Sequence, residues 1–329
     1  MTLREIRRGI AIPQFAGLLP ASWVARVAVA LLVCTPFLIR DQYLVNLLVT
    51  SLYFGAQAMA FDFTAGFIGI INFGFAGFLG LGAYVSALLA LRLGWSPWVA
   101  IWAGAAGAAA VGSLTGLLTL RLRGIFTAVM TWFISLTLLA LAAALVPLTR
   151  GFLGLNVPLF LDTADRRPYF YILLAIAALS YLVLRGVAGS SIGLAFRALG
   201  QNLEVARASG IGPRPYRLMN FTLSCFFAGL LGGFYAHSMG ILTPDVLDTR
   251  HTVEILALAY IGGRGTLWGG VLAALLIIPA FEYLKPLFEI RLIIYGLMLM
   301  AVIIVYPGGL APLVKRWVAL KKAKSGSSR

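Results

Sequence analysis

Acidic side chains are scarce: 11 Asp and Glu stand against 26 Lys and Arg in 329 residues, and charged groups make up only 11% of the chain. Soluble domains carry about 25% charge, so an aqueous surface cannot be assembled from this composition. Soluble enzyme, disordered chain and coiled coil are excluded on the same ground. Cysteine is almost missing; Cys34 and Cys225 both lie in apolar stretches, which rules out a disulfide framework. No glycine-rich loop ending in Gly-Lys and Ser or Thr occurs, so the sequence holds no phosphate cradle of that type.

What is present is apolar: 61% of residues are hydrophobic and the mean hydropathy is +0.95. A membrane-spanning helix needs about 20 largely apolar residues. Runs of that kind fall at 23–39, 44–61, 73–91, 97–120, 125–147, 169–184, 217–240, 266–283 and 291–306. Two shorter apolar pieces, 63–71 and 253–261, are each half a crossing long and end in glycine-rich sequence. The expectation is an all-α polytopic membrane protein with about 8 to 10 transmembrane helices, including two broken or re-entrant segments. Its parts would be a segment 1–22, a transmembrane domain 23–306 with a loop 186–216, and a basic tail 307–329. The first apolar run follows Arg4, Arg7 and Arg8 but lacks a small-residue cleavage site, so it reads as a retained anchor.

Charge placement sets the orientation. With the amino terminus inside, the inner loops hold Arg121, Arg123, Arg185, Arg197, Arg207, Arg214 and the tail from Lys315 onward, and the entire +15 falls on that face. This is the positive-inside pattern. Both termini are therefore expected in the cytoplasm of a bacterial inner-membrane protein. The tail suits anionic lipid headgroups, and no nucleic acid is needed to explain the charge.

In hydrocarbon every backbone polar group must be satisfied, so broken helices occur where protein or a polar cavity buries them, and transporters build substrate sites from such breaks. The first break reads Asp62, an apolar run, then Asn72-Phe73-Gly74; the second reads Glu254, an apolar run, then Gly262-Gly263-Arg264-Gly265. By the charge count the two units are expected to enter from opposite faces, as in an inverted repeat. The substrate-pathway candidates are Asp62, Asn72, Phe75, Gly262, Gly263, Arg264 and Trp268, and pairing of Asp62 with Arg264 across the breaks is one option. Gly104, Gly107, Gly112, Gly116, Gly229, Gly232 and Gly233 stand at helix-packing spacing. His237 reads as either a packed or a proton-carrying histidine. His251, with Asp245, Asp248 and Glu254, lacks metal-ligand spacing.

These residues resemble the permease subunits of branched-chain amino acid ABC importers, of the M-type that pairs with an H-type partner. The resemblance covers nearly the whole chain after residue 44. It rests on Gly262-Gly263-Arg264-Gly265-Thr266-Leu267-Trp268-Gly269 and on Tyr306-Pro307-Gly308-Gly309-Leu310. The first half departs from the family pattern at Ile70, Asn72 and Phe75; Ile71-Asn72-Phe73-Gly74 is closer to the H-type partner.

The resemblance implies a non-catalytic subunit that binds no cofactor and takes cargo from a periplasmic binding protein. ATP would be hydrolysed by two cytoplasmic ATPase subunits. Residues 193–211 are expected to form one short amphipathic coupling helix. There the family's Glu-Ala-Ala-x-x-x-Gly signature stands as Glu204-Val205-Ala206 with Gly210, and Phe196 and Leu199 recur at helical spacing. The alternatives are an importer of urea or short amides and a stand-alone ion-coupled transporter or channel.

Overall fold

A computed structural model describes residues 41–283 apart from Arg121, Arg123 and Ala164, together with 33–36, 290, 296–297, 300 and 308–311. The expected spans 23–39 and 291–306 and both terminal segments lie largely or wholly outside the described residues. Among the described residues six helices are long and apolar enough to cross a membrane: α1 (Gln42–Ala65), α2 (Phe75–Leu93), α3 (Pro97–Thr119), α4 (Ile125–Ala144), α5 (Arg167–Gly189) and, further on, α8 (Pro213–Met239). Between α5 and α8 lie α6 (Ser191–Gln201) and α7 (Leu203–Ala208); after α8 come α9 (Thr249–Gly262) and α10 (Trp268–Tyr283). The protein is all-α and polytopic, with one two-residue antiparallel ladder joining Leu155–Asn156 to Ile241–Leu242.

Local chemistry fixes the helix ends. Asp41, Ser190, Asn202 and Asp248 accept backbone N–H bonds at the starts of α1, α6, α7 and α9. Pro97, Pro168 and Pro213 occupy first turns, where a missing N–H costs nothing. The α2 and α8 helices stop at Gly94 and Gly240 in the left-handed conformation.

The long helices alternate between two ends of the bundle: one holds α6 and α7, the other holds the 145–166 connection and the small ladder. At the centre α8 packs against α2 and α3. Backbones meet there: Gly104 abuts the Gly82 carbonyl, Gly229 the α3 backbone, and Gly232 the Leu79 carbonyl, whereas Gly107 faces Val85 at ordinary contact distance. Close approach matters because lipid supplies no hydrophobic drive between helices; packing must. His237 is buried in the same core, with Nε2 2.8 Å from the Ser86 hydroxyl and Nδ1 2.7 Å from the Pro158 carbonyl. A carbonyl only accepts, so Nδ1 carries the proton and Nε2 accepts from Ser86. That is a packed, satisfied histidine.

One expectation is corrected by the helix boundaries. The apolar piece 63–71 is not a half-helix: its first three residues finish α1, and 66–74 is irregular chain leading to α2. The other piece is a helix, α9, whose 14 residues span about 21 Å, less than a hydrocarbon core of about 30 Å. The two units start apart: Asp62 lies beside the 265–267 turn, whereas Glu254 lies in the first half of α9. Both α1 and α9 run toward the α6–α7 end, and their breaks touch: an added Cβ on Gly66 would lie 2.8 Å from the Gly265 Cα.

Candidate functional site

Asp62 sits one turn before the end of α1 and is 2% exposed. Its Oδ1 accepts from the Gly265 N–H at 2.9 Å, and its Oδ2 accepts from Thr266 and Leu267 at 3.1 and 3.3 Å. These donors belong to the turn that leads into α10, whose first residue is Trp268. A carboxylate from a distant helix thus holds that turn and lies in front of the positive end of the α10 dipole. Arg264 reaches the other way: Nη2 donates to the Ala65 carbonyl at 3.3 Å, and the guanidinium lies 5.0 Å over the Tyr260 ring. The two charged side chains therefore clasp each other's backbone rather than pair directly.

The clasp is tight enough to dictate residue type. Gly66 has no room for a Cβ beside Gly265 and the Asp62 carboxylate, while Gly263, at φ +110, presses on the Gly308 carbonyl. The terminal Gly308-Gly309 turn thus packs on the 262–269 turn, which joins the two motifs that carried the family resemblance. Leu267 adopts φ +56, uncommon for a residue with a side chain, and its N–H is one of the three held by Asp62.

The first break is built differently. Asn72 is 1% exposed; Oδ1 accepts the Gly74 N–H at 3.0 Å, and Nδ2 has no partner among the described residues. Two residues into α2 the Ala76 N–H donates to Thr252 Oγ1 at 3.0 Å, so the beginnings of α2 and α9 abut inside the bundle. Around them Ser135 donates to the Leu247 carbonyl at 3.1 Å, and Trp132 Nε1 to Thr249 Oγ1 at 3.0 Å. Phe75 is fully buried, with its ring edge-on to Phe61 at 5.7 Å. Trp268 opens α10 and is half-buried beside the second turn.

Beneath the first break lies α6. Phe196 is fully buried and meets the Phe63 ring edge-on at 5.7 Å; the Arg197 guanidinium lies 4.9 Å over the Phe67 ring; a Cβ on Gly200 would be 3.0 Å from the Ile68 carbonyl carbon. Burial holds the Arg197 pKa below its ordinary value. A cleft of about 330 Å³ remains between α6–α7, residues 68–70, the start of α4 and Arg217.

The expected single coupling helix is two, because Asn202 leaves the helical conformation and its side chain caps α7 through the Glu204 and Val205 N–H groups. Phe196, Leu199 and Ala206 face the chain's own core. Leu194 and Val205 point outward at 50% and 61% exposure. Glu204 is exposed and pairs with Arg207 at 3.7 Å. Gly210, at φ +82, closes α7 with Ile211 N–H bonded to the Ala206 carbonyl, the left-handed ending that favours glycine.

Thr252, Ser135, Gly66 and Gly200 were missed from sequence. Hydroxyls in apolar helices commonly bond their own preceding turn, as Thr131 does to Ala128 at 2.9 Å, so they give little signal. No group of metal-ligating side chains occurs among the described residues; Asp248 is a helix cap, and His251 and Glu254 stand 3.9 Å apart.

Long apolar helices interrupted at a buried polar junction, with a helical loop pressed against one interruption, define a multi-pass membrane permease. Residues 43–305 match the family described as branched-chain amino acid transport system / permease component, and the chain belongs to that family. It is 26% identical over 319 residues to the high-affinity branched-chain amino acid transport system permease protein LivM of Escherichia coli (strain K12), covering 88% of this chain and 75% of that one. Against LivM of Salmonella typhimurium the identity is 25% over 321 residues, covering 89% and 75%. No solved structure matches it. The chain is a transport subunit of an ABC importer and not an enzyme.

Proposed function

We propose that this chain moves branched-chain or other small neutral amino acids inward as one half of a permease pair, with an H-type subunit as the other half. A periplasmic receptor delivers the cargo, and two ATPase subunits dock on the α6–α7 end, which the positive-inside pattern assigns to the cytoplasm together with both termini. The observation that carries this reading is the packing of α6 directly on residues 63–68 of α1 and the first break. A push on the outward face at Leu194 and Val205 is delivered to that break through Phe196 and Gly200.

The cargo's carboxylate is assigned to the junction where α2 and α9 begin. Two helix starts place positive dipole ends together there, and the unpartnered Nδ2 of Asn72 supplies a donor. Urea and short amides have no carboxylate, so this feature favours amino acids over them. Asp62, Gly262, Gly263 and Arg264 are assigned to the clasp that holds the pathway's frame, and Phe75 and Trp268 to its walls.

The test is reconstitution of the importer in proteoliposomes with labelled leucine. Uptake that requires ATP, ATPase subunits and receptor is expected. Uptake by this chain alone, driven by an ion gradient, would sink the reading. Proline cannot adopt φ +82, so Gly210→Pro is expected to insert normally yet hydrolyse ATP without transport; wild-type uptake in that variant contradicts the coupling role of α7.

A further inference from the structure

We propose that Asp245 and the hydroxyls of Tyr84 and Tyr235 form a station that receives the cargo's ammonium group on its way to the junction of α2 and α9. The pathway then reads the two charges of an amino acid in succession. The short segment Pro244–Leu247, just before α9, folds back along α2: a Cβ on Gly80 would lie 2.4 Å from Leu247 Cγ. Asp245 is thereby held within electrostatic reach of Tyr84, the middle residue of α2, and of Tyr235 in α8. It is exposed, and its carboxylate has no hydrogen bond or ion pair among the described residues. Arg250, the next basic residue along the chain, turns to Asp248 instead, at 3.9 Å.

A carboxylate exposed at the depth of a spanning helix faces hydrocarbon only at high cost, so it marks a polar path. The Tyr84 hydroxyl is a second, independent sign: the residue is 5% exposed, and its oxygen has no partner among the described residues. An ammonium carries three N–H donors, and a carboxylate with two phenolic oxygens offers at least that many acceptors. The Tyr53 ring stacks on Tyr235 at 5.6 Å, and aromatic walls of this kind suit a cation.

Tyr84 lies eight residues, about 12 Å along α2, from Ala76 at the junction. That exceeds the spacing of the ammonium and carboxylate on one α-carbon, so a single cargo molecule passes from one site to the other rather than filling both. Tyr84 is on the side of the junction away from α6–α7, hence cargo arriving from outside meets the station first. The inference rests on the transport reading and the orientation given above.

The experiment titrates leucinamide, which keeps the ammonium and lacks the carboxylate, and 4-methylpentanoate, which has the reverse, into the receptor-free importer in nanodiscs. Asp245→Asn, a change at an exposed position, is expected to weaken leucinamide binding at least about tenfold and to leave 4-methylpentanoate binding unchanged. Tyr84→Phe deletes the unpartnered hydroxyl, so it should weaken leucinamide binding several-fold without lowering the Tm; a lowered Tm with unchanged leucinamide binding would remove Tyr84 from the station. Leucine uptake by both variants in proteoliposomes, with ATP, ATPase subunits and receptor, should fall several-fold. Unchanged leucinamide binding in Asp245→Asn overturns the inference. So does absent leucinamide binding in the wild type, which would leave Asp245 to a cation of the partner subunit, and so does its displacement by potassium chloride but not choline chloride, which would assign the carboxylate to an inorganic cation. Any of these with normal wild-type uptake leaves the transport reading intact. No wild-type uptake at all overturns the transport reading, and the leucinamide titration then decides the station separately.

Discussion

The two glycine breaks of this permease touch, yet they are made for opposite purposes. The turn at 263–267 is short and held from every side: three N–H groups on Asp62, the Thr266 hydroxyl on the Gly263 carbonyl at 2.6 Å, Arg264 on Ala65, and Gly309 against its backbone. The chain at 66–74 is longer and leaves the Asn72 Nδ2 without a partner among the described residues, as is the Thr64 hydroxyl at the end of α1. A buried donor without an acceptor costs about 1–3 kcal/mol. That cost is tolerable where a ligand supplies the acceptor, and out of place in an anchor. We infer that the second break is the fixed point and the first is the part that moves.

Removing the anchor should have the largest effect. Asp62→Ala strands three N–H groups, that of Leu267 buried and those of Gly265 and Thr266 part-buried, and is expected to cost about 3–5 kcal/mol. The readout is loss of monodisperse protein and a lowered Tm in detergent, with Asp62→Asn, which keeps one acceptor oxygen, falling between variant and wild type. Next comes the linkage beneath the mobile break. Phe196→Ala empties a fully buried aromatic site and should destabilise by about 3–5 kcal/mol at most, and in the surviving protein ATP hydrolysis should persist while uptake falls. Asn72→Leu tests the difference between the breaks most sharply: it removes the unpaired Nδ2 but also the acceptor of the buried Gly74 N–H, so stability should fall by about 1–3 kcal/mol while leucine uptake is lost. Smallest of all, Gly186→Ala in α5, where nothing lies within 4 Å of the added methyl, should gain about 0.5–1 kcal/mol with unchanged transport.

The long helices were legible because each is an unbroken apolar run bounded by a cap, a proline or a glycine, as with α3 between Ser96 and Leu120. The clasp was half legible. Asp62 and Arg264 announce themselves as charges in apolar sequence, but that the carboxylate would hold a turn whose first donor lies 203 residues later is a long-range fact that no local pattern encodes. The coupling loop misled for a related reason. Periodicity shows that Phe196, Leu199 and Ala206 share a face, yet not whether that face meets a partner or the chain's own core. The break at Asn202 was hidden because its role as a cap exists only once the chain has turned there.

The claim on which the account turns is that α6 drives the first break and leaves the second fixed. Hydrogen exchange of the reconstituted importer, compared between the nucleotide-free state and an ATP-trapped state, measures it directly. The account expects amide protection across residues 66–74 to change on trapping while Gly265, Thr266 and Leu267 keep theirs. Equal change in both segments, or an unaltered 66–74 with transport intact, would contradict it.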